Sequence, residues 1–332
     1  MKRISILMCS YNGDSLLSKT VSAITKLDVH SFDFVEFVFV DNASANDLQE
    51  CVRNIWKQSD TTIVLKTLLE TKKGKTAAFL SGFKLCEGDY IVVCDDDNEL
   101  YENYLVEGAT YLDQHPEVGV LGGNGIPTSE IEIPTWLMDY LPDFACGPQA
   151  KRNGNVFPGK NVVYGAGMWF RSSSLKIALS TGFEFMFDYV KDDPSLKRMS
   201  NGGEDGELCW AIKYQNYEIH YLGNLKFNHI IDKHKFTHEY LNLLKSRKSK
   251  YTLLGQVYRR ALNMNSDFVT NFWLKELVYI FVNYFKNFRF NREYLLDESR
   301  RNWSNIYFLL TYRSRYDAII NQLLKYKSNF IG

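Results

Sequence analysis

The sequence predicts a doubly wound, Rossmann-like α/β domain, a mostly parallel sheet flanked by helices, with a helical region appended behind it. Three observations carry that prediction. Short continuous apolar runs recur along the first hundred residues, helix-period patterns separate them, and a basic, aromatic-rich tract nearly free of proline and glycine fills 240–330. Strands of a parallel sheet are covered on both faces, so they read as unbroken apolar runs rather than alternating ones.

The elements follow in order. Ile4–Cys9 is the first apolar run, and Leu17, Val21 and Ile24 behind it stand at helical spacing. Phe34–Val40 is the second, followed by Leu48, Val52 and Ile55; Thr62–Leu65 is the third, followed by Phe79, Phe83 and Cys86; Tyr90–Cys94 is the fourth. Each helical face can cover the sheet, and the alternation argues for a doubly wound topology. From about residue 122 the glycines and prolines of Gly122-Gly123-Asn124-Gly125, Pro127, Pro134, Pro142 and Pro158-Gly159 suggest a long loop over the site. Val162–Phe170 reads as another strand. A helix is expected from Gly206 to about Tyr214 after the turn Gly202-Gly203-Glu204-Asp205, and Tyr217–Leu222 suggests a further strand. The boundary that results divides 1–235 from 236–332.

Composition narrows the class. A chain of 332 residues at 45% hydrophobic content can bury a large core. Its formal charge is zero, yet residues 233–332 carry eighteen Lys and Arg against seven Asp and Glu, which leaves the first part net acidic by eleven charges. Different partners are expected for the two parts. The six cysteines show no Cys-x-x-Cys spacing, which argues against zinc and disulfides and for a reducing compartment. The N-terminal apolar run is too short for a secretory leader. The best candidate span, Asn271 to Phe290, is broken by Lys275, Glu276, Asn283, Lys286 and Arg289. A cytoplasmic protein is expected, one that does not span a membrane and takes no nucleic acid.

Ligands of a doubly wound sheet bind beyond the carboxyl ends of its strands, and three polar clusters fall there. They are Ser10-Tyr11-Asn12-Gly13, Asp41-Asn42-Ala43-Ser44 and the triplet Asp95-Asp96-Asp97. Three adjacent carboxylates repel one another unless a cation occupies the gap. Asp95 and Asp97 can hold Mg²⁺ or Mn²⁺ with positions left for phosphate oxygens, although a solvated turn accounts for the same residues. Asp41 can accept the N–H of a nucleobase, with Tyr11 as an aromatic face for it; helix capping by Asp41 or Ser44 is the plainer account. Lys73, Gly74 and Lys75 stand where a diphosphate could be touched. Glu204 and Asp205 open a helix, where negative charge is favoured in any protein, but they are also placed to take a proton from a hydroxyl. His229 is either structural or the residue that completes the metal's shell.

Together, Ser10-Tyr11-Asn12, Val40-Asp41-Asn42-Ala43-Ser44, Asp95-Asp96-Asp97-Asn98, Gly165-Ala166-Gly167-Met168-Trp169-Phe170-Arg171 and Gly203-Glu204-Asp205-Gly206-Glu207-Leu208-Cys209 resemble the family-2 inverting glycosyltransferases of GT-A fold. The likeness runs from residue 4 to about 230. It implies a nucleotide-sugar donor, often UDP-linked, bound through Asp41 at the base and metal-bridged phosphates at Asp95 and Asp97, with Asp96 against the ribose or sugar. It further implies Asp205 as general base and Glu204 as the group that orients the acceptor, a saccharide or lipid-linked glycan.

Two departures matter. An Arg-Asn pair common in the family's third helix is replaced by Phe79 and Leu80, and Gln256-Val257-Tyr258-Arg259-Arg260 lacks the tryptophan of the processive synthases, so single-sugar transfer is expected. A sugar-nucleotidyltransferase would need a glycine- and arginine-rich loop after the first strand, which is absent. A silent scaffold would not need both carboxylate clusters. The C-terminal tract, outside the resemblance, is expected either to rest on the inner face of an anionic membrane or to pack as a bundle on the first domain or a second subunit.

Overall fold

The computed structural model describes residues 2–13, 15–186, 203–266, 268–287 and 303–330, the last range without 304, 308 and 312. Gly202 of the glycine turn and residues 288–290 of the aromatic tract lie outside the described residues.

Strands and helices alternate through the first half as the periodicity requires: β1 (Arg3–Ser10), α1 (Ser15–Ile24), β2 (Phe34–Asp41), α2 (Leu48–Lys57), β3 (Val64–Leu69), α3 (Lys75–Leu85) and β4 (Tyr90–Val93). β1 pairs in parallel with β2 and β4, and β2 with β3. The unbroken apolar run of β1 has a direct cause. Ile4, Ile6 and Met8 pack with Leu17, Val21 and Val52 on one face, while Leu7 joins Val38, Ala78 and Phe83 on the other. All four β1 side chains are fully buried, and each such burial stabilises the fold by roughly 2 kcal/mol. The cap of α2 differs from expectation: Asp47 accepts from the Glu50 N–H at 2.9 Å, leaving Asp41 and Ser44 to other work.

Beyond β4 come β5 (Asn98–Leu100), α4 (Tyr104–Gln114), β6 (Val118–Thr128), a 3₁₀ segment (Thr135–Phe144), β7 (Gly154–Asn155), β8 (Trp169–Arg171), α5 (Ser172–Ser180), α6 (Glu204–Lys213) and β9 (Glu218–Ile230). The nine strands form one sheet in the order β3-β2-β1-β4-β8-β6-β9-β5, with β7 also on β9. β8 runs antiparallel to β4 and β6, and β5 and β7 run antiparallel to β9, so the parallel character belongs to the first half and to the β6/β9 pair.

The glycine-rich stretch after residue 121 is not a loop at its start. β6 runs through it, because neighbouring chain approaches too closely for side chains. A Cβ on Gly122 would lie 2.6 Å from the Val163 Cβ, and one on Gly123 2.5 Å from the Leu225 carbonyl oxygen. The strand expected over Val162–Phe170 is only Trp169–Arg171, and the one expected at Tyr217–Leu222 continues to Ile230.

The C-terminal region supplies α7 (His238–Asn263), α8 (Phe272–Asn287), helical residues at 303–311, and α9 (Arg313–Ser328). Thr237 caps α7 by accepting from the Tyr240 N–H at 3.1 Å. These helices share a buried cluster with α6: Tyr258, Ile320 and Leu323 pack with Trp210 and Ile212. Tyr214 Oη donates to the Tyr258 carbonyl at 2.7 Å, and Tyr326 Oη to the Ala211 carbonyl at 2.9 Å. Among the described residues no helix is long and apolar enough to cross a membrane.

Candidate active site

β1, β2 and β4 end at one edge, and their polar termini meet there. Ser10 and Asp41 are register partners on β1 and β2, and Ser10 Oγ donates a short hydrogen bond to an Asp96 carboxylate oxygen. Thr20 of α1 holds the Asp96 carbonyl at 2.9 Å. Across the first two loops, the Asn12 N–H donates to Ser44 Oγ and Asn12 Oδ1 accepts from the Ala45 N–H, both at 2.9 Å. Asp41 is buried and accepts the Ser44 N–H at 3.0 Å, which shapes the loop. Tyr11 lies open to solvent, its ring 5.1 Å from the Lys73 ammonium. The hydrogen bond from Lys73 lowers the Tyr11 hydroxyl below its ordinary pKa.

Lys75 joins the two halves of the site. Its ammonium lies 3.0 Å from Asp95 Oδ1 and 3.1 Å from Glu204 Oε1, so the end of β4 and the start of α6 share one cation. Gly74, at φ 136°, makes the turn that puts Lys75 first in α3; a residue with Cβ would be strained there. Asn42 fixes that turn, donating to the Lys72 carbonyl and accepting from the Gly74 N–H, both at 2.8 Å. Burial opposes the charge on Lys75, yet the Asp95, Glu204 and Asp205 carboxylates raise its pKa well above that of an ordinary lysine. Burial likewise acts to raise Asp95, but Lys75 outweighs it and holds the carboxyl below its usual value.

Asp96 is hydrogen-bonded by Ser10, and Lys75 acts on it only weakly. Burial pushes it up to about 6, against the Ser10 hydrogen bond and with Asp97 and Asp95 adding to the rise. Asp97 faces the other way, with Lys235 Nζ at 3.2 Å and His229 Nε2 at 3.8 Å from its Oδ2. The triplet is thus bracketed by two lysines.

Asp205 opens α6 behind Gly203, whose φ of 107° favours glycine. Its two oxygens accept the Gly165 N–H at 2.9 Å and the Gly206 N–H at 2.8 Å. Burial, reinforced by the Glu204 carboxylate, raises Asp205 above an ordinary aspartate despite Lys75. Gly165 is as close as it is because a side chain there would meet the Asp205 Cβ at 3.1 Å.

The residues suit a divalent cation of the open kind. Asp97 and His229 can face one ion together, and hard cations bound to phosphates commonly keep only one or two protein ligands. Asp95 pairs with Lys75, whereas Asp97 meets Lys235 and His229. Among the described residues no three His, Cys, Asp or Glu side chains converge as a closed metal site. His229 is oriented from behind, by Asn98 at 2.9 Å from its Nδ1.

Sequence reasoning had no role for Asn42, Asn98, Gly165 or Lys235. Asn98 directly follows the triplet and Asn42 directly follows Asp41, so their positions were in view. Lys235 stands 138 residues from Asp97 with no motif around it. Phe79, standing where the family has a polar residue, packs against Phe83, Phe170 and Phe185 in the core.

Three comparisons bear on this arrangement. The model of the family described as Glycosyl transferase family 2 matches residues 5–177. The poly(ribitol-phosphate) beta-N-acetylglucosaminyltransferase TarP of Staphylococcus aureus is 24% identical over 139 residues, which are 42% of this chain and 42% of that protein. The match therefore spans less than half of that relative. Among solved structures, S. aureus TarS 1–349 in complex with UDP-GlcNAc superimposes with a TM-score of 0.54 at 15% identity, over 99% of this chain and 92% of the other. The mannosyltransferase PcManGT from Pyrobaculum calidifontis, in complex with GDP-Man and Mn²⁺, gives 0.57 at 14%, over 99% and 87%. These likenesses establish the GT-A fold.

Proposed function

The chain belongs to glycosyl transferase family 2, and from that premise we propose an inverting, divalent-metal-dependent enzyme moving one sugar from a nucleotide-sugar donor, UDP-linked, to a hydroxyl of a saccharide or lipid-linked glycan. The observation that carries the reading is the Lys75 bridge, which sets the donor-side Asp95 and the acceptor-side Glu204 around a single ammonium. Solved neighbours that bind UDP-GlcNAc, or GDP-Man with Mn²⁺, support the donor class, and the poly(ribitol-phosphate) in TarP's name supports a polymer hydroxyl as acceptor.

The chemistry is one displacement. The acceptor oxygen forms a bond to the sugar's anomeric carbon from the face opposite the leaving group. As the bond from that carbon to the phosphate oxygen breaks, the diphosphate leaves with the electron pair and the acceptor proton passes to Asp205. An aspartate with a raised pKa is a stronger base than an ordinary one, and its two backbone hydrogen bonds aim the carboxylate without consuming both lone pairs of either oxygen. Glu204, held by Lys75, orients the acceptor. Asp97 and His229 would hold Mn²⁺ or Mg²⁺, which would supply Lewis-acid stabilisation for the negative charge gathering on the diphosphate. Lys75 adds fixed positive charge beside the same oxygens. Asp41 and Tyr11 are assigned to the base and Asp96 to the ribose or sugar. Ser10 holds Asp96 in place, and Asn12 holds the loop beneath the base.

The test is a panel of nucleotide sugars with Mn²⁺ and glycan acceptors, read by release of the free nucleotide, with Asp205→Asn alongside. The variant is expected to keep the thermal shift given by the active donor while transfer falls at least ~10²-fold. Transfer at a comparable rate in the variant would remove Asp205 from the role of base.

A further inference from the structure

The C-terminal helices bury one face and leave another apolar face in water. In α8, Phe272, Glu276 and Ile280 are buried, while Leu274, Val278 and Phe281 on the opposite side are 44%, 60% and 40% exposed. The helical residues at 303–311 repeat the pattern. Ile306 and Leu309 are buried, whereas Trp303, Tyr307 and Leu310 stand 66%, 70% and 52% exposed. Both outward sets fall at i, i+4 and i+7, one stripe of a helix in each case. Single exposed apolar side chains are ordinary, but two helix-long stripes of large ones in the same region mark a surface that is covered in use.

Three properties choose the cover. The sixteen residues of α8 reach about 24 Å, but among the described residues no helix is apolar enough to cross a bilayer, so the stripe can lie on a membrane and not through it. The region 233–332 carries a net charge of plus eleven, which an anionic lipid surface attracts and the same region of a second copy repels. Cations also accompany the stripe. Lys275 is exposed beside Leu274, and the Arg260 guanidinium, itself paired with buried Glu276, lies 4.5 Å from the centre of the half-exposed Tyr279 ring. We propose that the outer face of α8, with Trp303, Tyr307 and Leu310, is a docking surface for an anionic membrane, seated at the acyl boundary with basic side chains among the headgroups.

This surface does not depend on the transfer reaction. Vesicle binding can be read with the enzyme idle, and sugar transfer to a soluble glycan can be read without vesicles, so the two readings fail separately. The experiment is cosedimentation of the full chain with vesicles rich in phosphatidylglycerol and with neutral phosphatidylcholine vesicles. Val278→Glu and Tyr307→Glu, one in each stripe, are measured in parallel, with far-UV circular dichroism melts as the check on folding. Binding is expected to the anionic vesicles and to fall at least tenfold in the neutral vesicles, in high salt and in each variant. Failure of the natural chain to bind anionic vesicles would overturn the proposal, as would full binding by both variants. A dimer that both variants dissociate, with vesicle binding unchanged, would assign the surface to a second copy instead.

Discussion

Replacing Asp96 by asparagine is expected to make the metal-free protein more stable at neutral pH and no more stable in acid. Asp96 titrates at about 6 in the folded chain, against 3.8 for a free aspartate. Between those values the folded state holds more protons than the unfolded one, so this group makes stability fall as pH rises from about 4 to about 6 and then level off. Two pH units correspond to about 3 kcal/mol as an upper bound, and to about 2 kcal/mol once partial access of water to the triplet is allowed for. Asparagine keeps the oxygen that accepts from Ser10 and never ionises, so it escapes that loss. The assay is urea unfolding in chelator at several pH values from 4 to 8. The variant's advantage should be near zero at pH 4 and about 2 kcal/mol at pH 7.5. An advantage independent of pH, or none at pH 7.5, would refute the claim that buried charge on Asp96 destabilises the folded chain.

Other outcomes follow from the same geometry. UDP should raise the melting temperature in the presence of Mn²⁺ and not in excess chelator, and Asp97→Ala should abolish the shift; an equal shift in chelator would rule out a metal-bridged donor. Gly74→Ala forces a side chain into φ 136°, which should cost about 1 to 3 kcal/mol in thermal unfolding and lower transfer by displacing Lys75. Tyr258→Phe removes a 2.5 Å hydrogen bond to buried Glu207, whose same oxygen also accepts from the Met186 N–H. A loss of about 1.5 to 3 kcal/mol is expected in chemical denaturation.

Where chemistry is local, the sequence could be read. The apolar runs of β1, β2 and β4 are continuous because both faces are covered, and the polar residues at their ends stand where the topology must gather them. Glu204 and Asp205 were visible as a pair after a glycine. What could not be read is what distant chain does to a residue. The glycines at 122 and 123 look like turn formers, but they are small because Val163 and Leu225 press on them within a strand. Lys75 was visible as a cation near a diphosphate, and only the fold shows that it bridges Asp95 to Glu204. Lys235 reaches Asp97 through the turn that follows β9, a contact without any local signature.

One hydrogen-bond pair joins chemistry to architecture. Glu207 follows Asp205 by two residues in α6, and its carboxylate receives both the Tyr258 hydroxyl from α7 and the Met186 backbone. The helix that carries the proposed base is therefore anchored to the C-terminal region, and both lie beyond the residues that the family model matches. A chain cut before α7 would leave α6 without the Tyr258 hydroxyl that braces Glu207. The C-terminal region is in this sense a mould against which α6 is cast, and sequence changes in α7 can shift Glu204 and Asp205 without touching either residue.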